Sequence, residues 1–167
     1  MNISVFTTTC NDEAILPFFI EFYKKRIPDV RFYIWDINST DQTKDIAIKN
    51  NCNIKNFNDL YLTKDQWKNE CWKNTGCDCV ILCDVNEFID VDFKIFVNCS
   101  IVCTKGYDID SIQNLNLEKR NHNKDKFCIF DPHVIKEMNY EGDNFYPKGF
   151  IRLGTKYPIL YHLTNKN

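Results

Sequence analysis

The stretch Cys79-Val80-Ile81-Leu82-Cys83-Asp84-Val85-Asn86-Glu87-Phe88 sets the architecture. Five apolar residues run without a polar break and then give way to an acid, an amide and a second acid. A strand with one wet face alternates apolar and polar side chains. A continuous apolar run suits a strand covered on both faces, as in a parallel sheet flanked by helices. The polar group behind it leaves that strand at its carboxyl end, where a carboxylate loses hydration unless it meets water, a partner or a cation.

Upstream of this run, strand and helix patterns alternate. Ile3 to Thr7 is apolar and β-branched and reads as a first strand. Asn11 or Asp12 offers an N-cap with Glu13 in the first turn, and Ile15, Phe18, Phe19 and Phe22 give the following helix one apolar stripe. Pro28 ends that helix. Val30 to Trp35 reads as the second strand, after which Ser39, Thr40 and Asp41 cap a helix carrying Ile46 and Ile48. Ile54 to Phe57 is a short third strand. Thr63-Lys64-Asp65-Gln66 has the capping-box pattern, with Leu62 and Trp67 as its hydrophobic staple. The helix it opens runs to about Asn74, and Gly76 stands where a C′ glycine belongs. This order predicts an α/β domain with right-handed crossovers.

Downstream the pattern changes. Tyr107 to Gln113 and Lys126 to Phe130 read as strands, separated by the charged loop Glu118 to Asp125. Tyr140 to Gly154 has no clear period, and Ile159-Leu160-Tyr161 is a last apolar piece. Trp67 and Trp72 are expected to pack in the core. No repeat and no linker rich in Gly, Ser or Pro divides the chain, so 1–167 is expected to form one domain.

Composition narrows the function classes. The 167 residues are 44% hydrophobic, ample for one core. Twenty-one basic against 23 acidic residues leave a net charge of -2, which argues against a partner held by its phosphate backbone, so no nucleic acid is expected. No apolar run reaches the roughly 20 residues of a transmembrane segment. Met1 to Phe6 lacks the features of a secretory signal, so a cytoplasmic location is expected (that of the host cell, if the chain is viral), unless this is a piece of a longer protein. Nine cysteines without a signal read as free thiols, and Cys71, Cys77, Cys79 and Cys83 have no paired C-x-x-C spacing for structural zinc.

Three polar clusters fall at expected strand ends: Thr8 to Glu13, Asp36 to Asp41, and Asp84 to Glu87. Ligands of open α/β sheets bind outside the carboxyl ends of the strands. Asp84 and Asn86 are oxygen donors placed on one side of an extended chain, a workable site for Mg²⁺ or Mn²⁺. The plain alternative is a strand end with a solvated carboxylate.

Together, Asn11-Asp12-Glu13, Asp36-x-Asn38-Ser39-Thr40-Asp41-x-Thr43 and Asp84-x-Asn86-Glu87-Phe88 resemble the glycosyltransferases of the GT-A fold, family-2-like members in particular. The matching motifs span about Ile3 to Asp90, and Tyr161-His162 to Lys166 is similar to the ending of such enzymes. The resemblance implies a Rossmann-like three-layer sandwich with a mixed, mainly parallel sheet. Its nucleotide-binding half would be about 1–92 and its acceptor half about 93–167. It implies transfer of a sugar from a UDP- or GDP-linked donor to a glycan, protein or lipid hydroxyl, assisted by Mn²⁺ or Mg²⁺.

By that resemblance, Thr8, Thr9 and Asn11 would lie along the nucleotide base and ribose, and Asp36 would bind one of them. Asp84 and Asn86 would hold the metal against the diphosphate, with Asn86 standing where an aspartate is usual. Glu87 would be a supporting or acceptor-side carboxylate, His162 would complete the metal shell and Lys166 would sit on a phosphate. An inverting mechanism needs a carboxylate base; Asp143 is the preferred candidate and Asp131 the second. Two rivals remain: a domain that binds nucleotide-sugars without transfer, and a nucleotidyltransferase. The latter usually carries a Gly-rich basic loop after its first strand, which Thr8 to Glu13 lacks.

Overall fold

A computed structural model describes residues 1–60, 62–90, 101–109, 126–133, 135–136, 138–141, 144–147 and 159–163. The chain opens with β1 (Ile3–Thr9), α1 (Leu16–Arg26), β2 (Arg31–Asp36), α2 (Thr43–Lys49), β3 (Asn53–Asn56), a 3₁₀ turn (Phe57–Leu60), α3 (Lys64–Glu70) and β4 (Cys79–Leu82). It continues with β5 (Glu87–Asp90), β6 (Ile101–Ile109), β7 (Lys126–Phe130), β8 (Met138–Glu141), β9 (Asn144–Pro147) and β10 (Ile159–Leu163). Among the described residues, one sheet runs in the order β3-β2-β1-β4-β7-β6-β10-β5, and β8 pairs with β9 as a separate hairpin. The pairs β3–β2, β2–β1, β1–β4 and β6–β10 are parallel. The pairs β4–β7, β7–β6 and β10–β5 are antiparallel. This is the mixed, mainly parallel sheet expected, with its parallel half built from the first half of the chain.

Strands β2, β1 and β4 of the parallel half show why the sheet is covered twice. Alternate residues point to opposite faces. Ile3 and Val5, Phe32 and Ile34, and Cys79 and Ile81 join a core with Leu16, Phe19, Ile20 and Tyr23 of α1. Phe6, Trp35, Val80 and Leu82 join a second core with Trp67 of α3, Trp72 and Phe130. Both tryptophans are buried as expected, Trp67 edge-on to Trp35 and Trp72 edge-on to Phe130. All seven residues of β1 are buried, and Cys79 to Cys83 is buried throughout.

Several boundaries differ from the sequence reading. A turn in which the Asp12 carbonyl accepts the N–H groups of Ile15 and Leu16 precedes α1, so the helix starts later than Asn11 or Asp12 implied. Leu16, Phe19, Ile20 and Tyr23 of the helix are buried; of the expected stripe, Ile15 and Phe19 are buried and Phe22 packs against the core, while Phe18 is 53% exposed. In α2 the buried positions are Thr43 and Ala47; Ile46 packs at the margin and Ile48 is 60% exposed. The capping box of α3 is present: Thr63 Oγ1 accepts from the Gln66 N–H at 3.2 Å, and Gln66 Oε1 accepts from the Thr63 N–H at 2.9 Å. That helix stops at Glu70, and Asn74 and Gly76 both take left-handed φ, +61° and +67°. Gly76 is thus a turn glycine, not the helix's C′ residue; a Cβ there would meet nothing within 4 Å, so its φ is what calls for glycine.

In the second half, β7 falls where expected. Strand β6 begins at Ile101, well before Tyr107, and the β8–β9 hairpin lies in a stretch without sequence period. Glu118 to Asp125 lies outside the described residues. Strand β5 follows at once on the polar group after β4. No helix among the described residues is long and apolar enough to cross a membrane.

Candidate functional site

Because β2, β1 and β4 are mutually parallel, Thr9, Asp36 and Asp84 all emerge at one end of the sheet. The Ile37 N–H donates to the Thr9 carbonyl (2.7 Å) and the Cys83 N–H to the Phe6 carbonyl (3.2 Å), carrying both ladders to that edge. The three clusters singled out in the sequence therefore meet in space.

The first two are interlocked. Asn11, at φ +53°, donates its N–H to Ser39 Oγ (2.9 Å), and its Oδ1 accepts the Thr40 N–H (2.8 Å). The Asp12 N–H donates to Thr43 Oγ1 (2.9 Å), and Asp12 Oδ2 accepts from Thr9 Oγ1 and the Cys10 N–H, each at 3.0 Å. Two further bonds join the loops: the Glu13 N–H donates to Asp41 Oδ2 at 3.1 Å, and Glu13 Oε2 accepts the Gln42 N–H at 3.0 Å. Burial raises the Asp41 pKa, but hydrogen bonds from the Thr43 side chain and backbone and from the Glu13 N–H outweigh that and hold the carboxyl below its ordinary value.

Asp36 is 1% exposed, with both oxygens accepting the Ser39 N–H (3.2 and 3.1 Å) and Oδ2 lying 3.1 Å from Lys44 Nζ. Thr8 and Thr9 are also buried, at 7% and 2%. In this geometry Asp36, Asn11 and Thr9 hold the two loops together, and the exposed positions at this edge include Cys10, Asn11 and Asn38.

The third cluster is a turn, which corrects the extended chain expected from Asp84 to Asn86. The Glu87 N–H donates to the Asp84 carbonyl (2.9 Å), and Glu87 Oε2 accepts the Asp84 N–H (2.9 Å). Glu87 is 1% exposed, so its carboxylate braces the turn from beneath. Tyr23 braces it from α1: its hydroxyl donates to the Glu87 carbonyl and accepts the Ile89 N–H, each at 3.2 Å. The Asp84 side chain is 34% exposed, and its Oδ1 lies 3.2 Å from Nζ of Lys64, at the start of α3. Neither Tyr23 nor Lys64 was singled out by sequence reasoning; the capping box marked where Lys64 sits on α3, but not what that helix end faces.

Strand β10 returns to the same place. Its register sets His162 opposite Glu87 of β5 on one side and opposite Asp108 of β6 on the other. Asp143 and Lys166 lie outside the described residues. Asp131 is corrected: β7 runs antiparallel to β4 with Phe130 opposite Val80, so Asp131 follows at the other end of the sheet, where its Oδ1 accepts the His133 N–H at 2.7 Å in a turn. A cavity of about 470 Å³ between Tyr33, Trp35, Lys55 and Trp67 contains none of the expected site residues.

No protein-family model and no curated protein matches the chain in sequence. Solved structures do match. Staphylococcus aureus TarS superposes on 98% of this chain with a TM-score of 0.65 at 15% identity. TarS 1–349 gives a TM-score of 0.62 over the same share, also at 15% identity. The same fragment in complex with UDP gives 0.51 over 66% of the chain at 21% identity. In turn, the chain spans 37% of the first TarS chain, 60% of the second and 37% of the third. The sheet order, the helices on both faces and these superpositions together establish a GT-A, Rossmann-like α/β fold.

Proposed function

We propose that this chain is the donor-binding and catalytic part of a glycosyltransferase that moves a sugar from a nucleoside diphosphate, with UDP preferred over GDP, to an acceptor hydroxyl. The observation that carries this reading is the convergence of the β1, β2 and β4 ends on one edge of a GT-A sheet, with a charged, half-exposed Asp84 at the last of them. UDP enters because a TarS fragment of this fold was solved with it. The acceptor is a glycan, protein or lipid, and residues 93–167 are assigned to it.

Each residue's part follows from its setting. The interlocked loops present Cys10, Asn11 and Asn38 toward the base and ribose, and Asp36 fixes those loops from within. Asp84 faces the diphosphate. Glu87 holds the Asp84 turn, so the base for the acceptor proton is assigned to Asp143.

Mn²⁺ or Mg²⁺ is the cofactor such chemistry implies. Asp84 and Asn86 offer the oxygen donors that fit an ion shared with phosphate oxygens, a mode needing only one or two carboxylates. Among the described residues no three His, Cys, Asp or Glu gather into a self-sufficient cage. A bound cation would supply charge neutralisation of the diphosphate, and His162 is the further ligand its register position suggests.

A thermal titration with nucleoside diphosphates and their sugars tests this reading. A ligand at 100 times its Kd adds about 2.7 kcal/mol of apparent stability. The expected result is stabilisation by UDP; no shift with any nucleotide contradicts the reading. Slow release of UDP from a UDP-sugar by the wild type, absent in Asp84→Ala, separates a transferase from a domain that binds without transfer.

A further inference from the structure

Resting on that donor site, we infer that Lys64 is the diphosphate-binding cation of this protein, seated on Asp84 in the place a divalent ion would otherwise take. Lys64 and Asp84 belong to different elements, α3 and the turn after β4, yet Nζ and Oδ1 lie 3.2 Å apart. The lysine is not a loosely placed surface residue at its root. It is the first residue of α3, and the reciprocal Thr63–Gln66 hydrogen bonds fix the turn that carries it. Its side chain is 50% exposed, and its ammonium carries three donors beside a single Asp84 oxygen at ion-pair distance.

The charges explain the pairing. A lone carboxylate at this edge repels a diphosphate; an ammonium on it cancels that charge and directs further donors outward. Lysine acts on phosphate as a point charge. A divalent ion must share Asp84 with Lys64, and Asn86 brings no charge to compensate. Lysine and metal are therefore alternatives at one carboxylate, and donor binding persists without metal.

The test is calorimetric titration of UDP and of uridine into wild type, Lys64→Ala and Lys64→Arg, with a chelator and then with Mn²⁺. In chelator the wild type binds UDP, and Lys64→Ala weakens UDP about tenfold, as expected for loss of a charged hydrogen bond. Uridine, which lacks phosphate, binds both alike. Lys64→Arg keeps most of the UDP affinity, and Mn²⁺ helps Lys64→Ala more than wild type. Equal UDP affinity of wild type and Lys64→Ala in chelator overturns the inference, as does wild-type binding that requires Mn²⁺; both leave the donor site standing. Failure of the wild type to bind UDP under either condition overturns the donor site itself. Unchanged melting of the unliganded variants shows that folding is not the cause.

Discussion

The loops after β1 and β2 and the turn after β4 stand at the same edge of the sheet, yet they use their polar residues differently. In the loop pair, Asp12, Asp36 and Asp41 accept backbone N–H groups, and Asn11, Ser39 and Thr43 tie one loop to the other. At the β4 turn, buried Glu87 does the backbone work while Asp84 and Lys64 face one another half-exposed. A polar motif at a strand end thus has two physical uses. Where carboxylates are buried against N–H donors they hold the backbone, and where they keep exposure and an opposite charge they are available to a ligand.

Substitutions sharpen this contrast. The largest effect on binding is expected from Lys64→Ala, which lowers UDP affinity in chelator about tenfold, by about 1.4 kcal/mol, while the melting temperature of the free protein stays near wild type. Asp12→Ala reverses the pattern. Its carboxylate is buried and accepts two donors, so its loss costs about 2 kcal/mol of stability by denaturant titration, with UDP affinity of the folded protein nearly intact. Equal binding losses in the two variants would erase the distinction.

Thr63→Ala should come next, at about 1 kcal/mol for a lost N-cap, with a modest drop in UDP affinity because the turn bearing Lys64 loosens. The smallest effect is the acid limb of the loop pair. The Asp41 carboxyl is held below its ordinary value, so its contribution is present above that ordinary pKa and lost as pH falls through the lower folded value. Asp41→Asn should flatten that limb in acid denaturation curves; an unchanged limb would remove Asp41 from the interlock.

The sequence was most informative where the cause is local. Thr63 and Gln66 are three residues apart, and their reciprocal hydrogen bonds were legible in the pattern alone. The apolar run Cys79 to Cys83 correctly announced a strand covered on both faces. It said nothing about neighbour direction, so the antiparallel β7 beside β4 was not legible. Of the α1 stripe, Ile15 and Phe19 are buried and Phe22 packs against the core, but Phe18 faces solvent. The helix start was misread because the Asp12 side chain turns back to Thr9 and Cys10 and the helix begins after the following turn. Contacts between distant residues carried no sequence signal. Tyr23 reaches β5 across 64 and 66 positions, and Lys64 meets Asp84 from another element. All three clusters were found, but which of them holds backbone and which faces solvent required the fold.

Hydrogen exchange of backbone amides with and without UDP tests the central claim most directly, because it reports where the nucleotide sits. Added protection is predicted at residues 8–11, 36–39 and 84–87, with little change in β8 and β9. Protection confined to the cavity lined by Tyr33, Trp35 and Trp67, or absent throughout, would contradict a donor site at the ends of β1, β2 and β4.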